Sequence, residues 1–220
     1  MFQCNFANMN VSRFTFNMFG VNTYILWDNE SRDAVIVDPG MVNETECKQI
    51  DDFVCKNSLN LVKLINTHMH IDHSFGVSYI TRTYGLQLEG NIDDQFLAER
   101  ISQQAKMFGL PMEVDDLKIN TALADGDNVK VGSESLDVIH VPGHSPGGIA
   151  LYAPESGFII SGDSLFQRSI GRTDLPGGDY GQLINSLNQK LMTLPSDTVV
   201  YPGHGPETTI KDEKDFNPYL

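Results

Sequence analysis

Residues 67–73, Thr67-His68-Met69-His70-Ile71-Asp72-His73, hold half of the chain's six histidines and directly follow an apolar run at 61–65. This constrains the fold more than any other feature. A strand-like segment must deliver a dense polar cluster to a place where other parts of the chain can meet it. Three imidazoles and a carboxylate this close suit a metal site, with zinc, iron, manganese and nickel all compatible. His68 and His70 are two apart, so on extended backbone their side chains share one face and can grip one ion. Asp72, two further on, can face the same cleft. His73 leaves that alternation unless the chain turns at 72–73. Such a turn would let Asp72 and His73 hold a second ion beside the first. A chance cluster in a solvated loop fits poorly, because other histidines occupy similar settings.

Three further motifs share one design: His140-Val141-Pro142-Gly143-His144-Ser145, Ser161-Gly162-Asp163-Ser164 and Tyr201-Pro202-Gly203-His204-Gly205. Each presents a His or Asp from a glycine-containing turn after an apolar strand. Glycine permits the sharp turn and a close approach of backbone to metal. Each motif is weak alone. With the cluster they make a matched set of five imidazoles and two carboxylates.

The surrounding pattern alternates strands and helices. Residues 22–27 and 34–37 read as strands, the second stopped by Asp38-Pro39-Gly40. Residues 43–57 have helical character, with Thr45 as a candidate cap. The strand at 61–65 leads into the cluster. Helices are predicted at 74–84, ending at Gly85, and at 93–108, ending at Gly109-Leu110-Pro111. In the second half, 135–141 is a strand stopped by Pro142-Gly143. Residues 148–153 and 158–161 form a hairpin, 180–194 a helix and 198–201 a last strand. Two groups of strands with helices between them predict an α/β sandwich. All candidate ligands fall where strands end, which is where open α/β architectures put their sites. No repeat, low-complexity run or linker interrupts the chain, so 1–220 is expected to be a single catalytic domain.

An apolar content of 40% and a charged content of 20% describe an ordinary globular protein. The net charge of -14, without blocks of like charge, disfavours nucleic-acid phosphates and anionic membranes. It does not exclude an anionic substrate, because metal ions set the local field. The simplest reading of the charge itself is solubility. Residues 1–10 lack a basic start and a long apolar run, and no stretch reaches the ~18 apolar residues of a membrane span. A cytoplasmic protein is expected. Cys4, Cys47 and Cys55 are an odd set that argues against a disulfide framework. Cys47 and Cys55 fall in the 43–57 helix and read as small buried hydrophobes.

The His-x-His-x-Asp-His motif and the three later positions make this chain resemble the metallo-β-lactamase superfamily of hydrolases. That resemblance implies a four-layer αβ/βα sandwich with the metal site between its halves. More narrowly, Gly162-Asp163-Ser164-Leu165-Phe166, the run from Ile170 to Gly178, residues 201–208 and the ending Asn217-Pro218-Tyr219-Leu220 are similar to the short single-domain bacterial branch of the glyoxalase II group. These are hydroxyacylglutathione hydrolase-like thioesterases. By position, the resemblance implies that His68, His70 and His144 hold a first divalent ion and Asp72, His73 and His204 a second, with Asp163 bridging. Zinc is the first expectation, with iron or manganese the alternatives. True metallo-β-lactamases commonly have a cysteine where Asp163 falls, so Asp163 favours the glyoxalase-type centre.

The implied reaction is attack of hydroxide on the carbonyl of a small-molecule thioester such as S-lactoylglutathione or a related thiol conjugate. A thiolate with a pKa around 8.5 leaves without a dedicated acid. Asp72 is the candidate to orient the hydroxide or take its proton. Asp38 is either a plain turn residue or, as in the resembled family, a hydrogen-bond partner of a ligand histidine. His140 lies four before His144, but Pro142-Gly143 rules out a shared helix. The family uses only the second histidine as ligand, so His140 is read as structural or as a support. Arg172 either binds a substrate carboxylate or pairs with Asp174. Only a short tail follows His204, so the C-terminal glutathione-binding helical domain of full-length glyoxalase II is not expected. Another thiol carrier is therefore open. The main rival is a persulfide dioxygenase, with one iron on His68, His144 and Asp163. Its typical loop, Gly-Arg-Thr-Asp-Phe-Gln, is shared through Gly171–Asp174, after which this chain reads Leu175-Pro176. A nucleic-acid phosphodiesterase and a non-hydrolytic metal-binding module rank below these.

Overall fold

The structure is a computed structural model that describes residues 2–5, 9–110 and 114–220, with residues 2–5 described by backbone alone. The Cys4 side chain and Pro111 lie outside the described residues. The first sheet runs in the order β1 (Phe2–Asn5), β2 (Met9–Phe16), β3 (Val21–Asp28), β4 (Asp33–Val37), β5 (Asn60–Ile65), β6 (Leu88–Gly90), β7 (Thr121–Ala122). Strands β1 to β4 pair antiparallel and β4 to β7 parallel. The crossovers carry α1 (Glu44–Lys56) and α2 (Val77–Tyr84), followed by the short α3 (Gln95–Ala98) and α4 (Ile101–Met107). The second sheet contains β8 (Asn128–Val131), β9 (Glu134–His140), β10 (Ile149–Ala153) and β11 (Phe158–Gly162). A small ribbon, β12 (Leu165–Phe166) and β13 (Ser169–Ile170), then precedes α5 (Tyr180–Gln189). After it β14 (Val199–Pro202) pairs parallel with β11, and β15 (Thr208–Thr209) and α6 (Ile210–Phe216) complete the fold.

Strand alternation explains the layers. Every residue of β3 is buried, so both of its faces are covered. Tyr24 and Leu26 face inward with Val35, Val37 and Ile65, meeting Leu136, Val138, Leu151, Ile160 and Tyr201 of the other sheet. Ile25, Trp27, Ala34 and Ile36 face outward onto Ile50, Phe53 and Val54 of α1 and Val77 and Ile80 of α2. Ala150, Ile159 and Val200 of the second sheet are covered by Leu183 and Leu187 of α5 and Ile210 of α6. Each such large side chain contributes about 1.5–3 kcal/mol by leaving water. The result is helix, sheet, sheet, helix: the predicted four-layer α/β sandwich.

Several local expectations need correction. Helix α1 is capped by Asn43, whose side chain accepts from the Glu46 N–H, and Thr45 lies inside the first turn. Cys55 is exposed and Cys47 half-buried, so α1 turns Cys55 away from the core; both thiols are free. The 93–108 segment breaks at Glu99–Arg100 into α3 and α4. There Leu117 N–H donates to Ala98 O, and the Gln104 amide donates to Leu97 O, so two carbonyls find partners outside a continuous helix. The 180–194 segment ends its α-helix at Gln189 and closes with a 3-10 turn, Leu191–Thr193.

Candidate metal centre

The site lies where strand ends of the two sheets meet. Asn22 N–H donates to Gly203 O (2.7 Å), Tyr24 Oη–H to Pro202 O (2.7 Å) and Ile149 N–H to Thr67 O (2.8 Å). After β5 the chain bends at Thr67–His68 rather than continuing extended, is extended at His70, and then makes the turn that His73 requires, as a 3-10 turn over Ile71–His73. Its backbone is held by buried side chains from elsewhere. Gln104 Oε1 accepts from Ile71 N–H and its amide donates to Met69 O. Asp94 Oδ2 accepts from Met69 N–H, and the Asn66 amide donates to His73 O.

Among the described residues three three-residue groups of possible donors result; in one of them, Asp38 with His68 and His73, the carboxylate is taken up by hydrogen bonds from Thr67 and His73, and the other two face the centre. His68 Nε2, His70 Nδ1 and His144 Nε2 converge, with His144 Nε2 2.9 Å from His70 Nδ1 and 3.3 Å from His68 Nε2. Nitrogens on a tetrahedral ion at ~2.05 Å stand about 3.3 Å apart, so this spacing fits one ion. In the second group His204 Nε2 is 3.3 Å from His73 Nε2 and 3.1 Å from Asp72 Oδ2, with His73 Nε2 and Asp72 Oδ2 3.7 Å apart. Asp163 stands between the groups. Its Oδ1 is 3.3 Å from His73 Nε2; its Oδ2 is 3.5 Å from His204 Nε2 and 3.6 Å from His144 Nε2. Asp163 Oδ1 is buried without a hydrogen bond, as is His70 Nε2. A buried, unbonded carboxylate oxygen facing imidazole nitrogens that cannot all donate fits a shared cation.

Hydrogen bonds behind the rings set the tautomers. His144 Nδ1–H donates to Arg172 O (2.7 Å) and His204 Nδ1–H to Phe19 O (3.2 Å). Asp38 accepts from Thr67 N–H (2.7 Å), the Thr67 hydroxyl (2.7 Å) and His73 Nδ1–H (3.0 Å). With its proton directed at Asp38, Thr67 Oγ1 can accept from His68 Nδ1–H (3.1 Å). Each of these four rings therefore turns a bare Nε2 toward the centre. Of the two readings of Asp38, the structure has it bonding His73. It is fully buried, and its φ of 52° swings the chain out of β4.

Charge follows the same division. Burial and the neighbouring imidazoles push His68 well below its ordinary pKa, and burial with His144 brings His70 down to about 3. For His73 and His204 burial opposes the charge, but Asp163 and Asp72 outweigh it and raise both. Burial also opposes ionisation of Asp163 and Asp72, yet the adjacent histidines hold both carboxyls low. Metal binding demands neutral imidazoles beside ionised carboxylates, so His68 and His70 already stand in that state, whereas His73 and His204 must give up a proton to an incoming ion.

His140 stands outside the donor groups; its Nε2 meets Pro146 O at 2.8 Å and ties down the turn behind His144. The Arg172 guanidinium pairs bidentately with Asp174 (both 2.7 Å), while its carbonyl orients His144. Sequence reasoning missed Asp94. This buried carboxylate accepts from Met69 N–H (3.0 Å), the Ser145 hydroxyl (2.8 Å) and Gly147 N–H (2.6 Å), joining the cluster to the His144 turn. In the sequence Asp94 stands at the start of the helix predicted at 93–108, and nothing there marks it as a support of the cluster. Gly203 shows why glycine recurs here: a Cβ would lie 2.1 Å from Asp163 Oδ1 and 2.7 Å from His73 Cε1.

A cavity of about 420 Å³ opens onto the donors His70, Asp72, His144, Asp163 and His204. Phe19, Phe108, Phe166, Ile170 and Leu175 form its apolar walls.

Residues 17–204 match the sequence profile of the metallo-beta-lactamase superfamily. The chain belongs to that superfamily. Hydroxyacylglutathione hydrolase GloC of Haemophilus influenzae is 37% identical over 213 residues, spanning 96% of this chain and 98% of the relative. The crystal structure of TTHA1623 in a di-iron-bound form is 34% identical with a TM-score of 0.84, covering 96% of this chain and 100% of that one. The BLEG-1 B3 metallo-beta-lactamase is 31% identical with a TM-score of 0.86, covering 96% and 99%. This superfamily member is a metal-dependent hydrolase, and its paired His and Asp groups have the arrangement of a binuclear metal site. No helix among the described residues is long and apolar enough to cross a membrane.

Proposed function

We propose that this superfamily member is a thioesterase of glyoxalase II type acting on a hydroxyacyl thioester. The observation that carries this reading is Asp163, a buried carboxylate whose Oδ1 has no hydrogen bond, set between two three-donor groups in a largely apolar-walled cavity. The near full-length similarity to a hydroxyacylglutathione hydrolase supports it. On this reading His68, His70 and His144 would hold one ion and Asp72, His73 and His204 a second, with Asp163 available to both. Zinc is the first choice for these imidazole and carboxylate donors. The ions supply water of lowered pKa and a Lewis-acid contact for a carbonyl oxygen.

The chain's own residues do the rest. Asp72 borders the cavity and its Oδ2 is 3.1 Å from His204 Nε2, so it can take the proton of an attacking water on the substrate side. Phe19, Phe108 and Phe166 crowd water from the carbonyl and strengthen the local electrostatics. The thiolate leaves unprotonated, which agrees with the lack of a further acid among the described residues lining the cavity.

The test is hydrolysis of S-lactoylglutathione by protein loaded separately with zinc, iron and manganese. Asp72→Ala and Asp163→Ala should each lower kcat/KM at least about a hundredfold. One equivalent of iron, with oxygen uptake on a persulfide and no thioester turnover, would replace this reading with a dioxygenase. Turnover of a β-lactam in preference to the thioester would also overturn it.

A further inference from the structure

A second cavity, also about 420 Å³, lies beside the metal pocket. Met107 and Pro176 line it, and their chain neighbours Phe108 and Leu175 line the metal pocket, so the two cavities share a wall. Gln104 also faces it while its amide group holds Met69 and Ile71 of the histidine cluster. Phe96, Leu97, Met107 and Pro176 make an apolar floor, and Arg100 and Lys106 add two positive charges. No described carboxylate lines it. Neither cation has an ion-pair or hydrogen-bond partner for its side chain among the described residues. On a chain of net charge -14 this groove is opposite in sign to most of the surface.

The metal pocket offers no cation without a carboxylate partner. Its bordering cation, Arg172, already pairs bidentately with Asp174 through Nε and Nη2. Apart from Ser169 and Arg172, its walls away from the donors are apolar. A thioester with its carbonyl near Asp163 can extend its thiol arm past Leu175 toward the second groove.

Resting on the thioesterase reading, we propose that the second groove is the subsite for the thiol carrier, and that it selects a carrier bearing carboxylates. The arm crosses Leu175–Pro176, its apolar part lies on Phe96 and Met107, and its carboxylates meet Arg100 and Lys106. Arginine's planar fork matches a carboxylate bidentately, while lysine supplies a point charge.

The experiment compares the metal-loaded wild type with R100E/K106E and the milder R100Q/K106Q. Both sites are solvent-exposed, so the substitutions leave the core unburdened. Two readouts are taken: kcat/KM for S-lactoylglutathione against an N-acetylcysteamine thioester of the same acyl group, and calorimetric binding of S-methylglutathione. In R100E/K106E the ratio of the two kcat/KM values should fall at least about tenfold and S-methylglutathione should bind about tenfold more weakly, with R100Q/K106Q between. Equal loss on both thioesters, or unchanged S-methylglutathione binding with turnover intact, overturns the groove and leaves the thioesterase. No turnover of either thioester by wild type, with S-methylglutathione still bound through Arg100 and Lys106, overturns the thioesterase and upholds the groove. Tighter binding of desulfo-coenzyme A than of S-methylglutathione overturns the carboxylate assignment in favour of phosphate.

Discussion

Replacing Asp38 by Asn separates the role of a buried hydrogen-bond hub from that of a metal donor. The carboxylate accepts three bonds, from Thr67 N–H, the Thr67 hydroxyl and His73 Nδ1–H. Asparagine has the same shape but turns one acceptor into a donor. If its amide nitrogen faces Thr67 N–H, two donors collide and a buried backbone N–H is orphaned, at about 1–3 kcal/mol. If it faces His73 instead, the imidazole can respond by moving its proton to Nε2, and the Thr67 hydroxyl can accept rather than donate. The second arrangement wins in the metal-free protein because a backbone amide has no second tautomer. Its consequence is that a neutral His73 keeps its proton on Nε2, facing the second donor group, whereas the wild-type ring can release that proton to an incoming ion and keep the one on Nδ1 for Asp38.

Metal binding must then undo that choice and carry the same 1–3 kcal/mol, which corresponds to a roughly 10–100-fold loss of affinity, the range seen when a ligand's hydrogen-bond partner is removed. The Thr67 oxygen has two lone pairs and still accepts from His68 Nδ1–H, so the first group should be spared. Titrating metal-free protein with zinc against a competing chelator should show two equivalents in wild type. In Asp38→Asn one equivalent should hold and one weaken 10–100-fold, with the melting temperature of the metal-free protein nearly unchanged. A lowered metal-free melting temperature with both affinities intact would refute the tautomer argument. So would equal weakening of both equivalents.

Three further outcomes follow from individual contacts. Gly203→Ala puts a methyl 2.1 Å from Asp163 Oδ1, so the variant should keep its circular dichroism but lose the weaker metal equivalent and at least about a hundredfold in turnover. Asp94→Ala orphans two backbone N–H groups and a hydroxyl; a loss of about 3 kcal/mol or more in urea unfolding is expected, together with weaker metal binding through His144. Asp28 is buried, which opposes its ionisation, but the Ser133 hydroxyl and the Ser31 and Ser133 amides hold its carboxyl well below the usual range. Its folded pKa lies below the unfolded ~3.9, so its contribution is fully present above that pH and fades as pH falls toward the folded value. Asp28→Asn should therefore lose about 1.5–3 kcal/mol at neutral pH, a gap that urea titrations should see narrow below about pH 4.

What could be read from the chain and what could not divides along sequence distance. His68, His70, Asp163 and His204 were readable because the code for a donor at a strand end is local: an apolar run, a glycine turn and the donor itself. For His73 the sequence states only a condition, a turn at 72–73, which the structure meets with a 3-10 turn at Ile71–His73. The residues that hold those donors in place were not readable. Asp94 meets the cluster across 25 residues, Gln104 across 33 and Asn22 reaches Pro202 across 180, and nothing at either end of such a pair announces the other. Asp38 stood between these cases, visible as a turn but ambiguous as a partner, because His73 is 35 residues away. The break at 99–100 has the same origin. Helical periodicity continues through it, yet Ala98 O and Leu97 O are taken by Leu117 and Gln104, and Gln104 is the same residue that clamps the histidine cluster. The interruption also leaves Arg100 at the N-terminal boundary of α4, on the rim of the groove beside the metal pocket. A continuous helix would send that side chain in another direction. Gln104 thus touches both the break in the helix and the histidine cluster, and its substitution by Leu should disturb metal binding and carrier selectivity together.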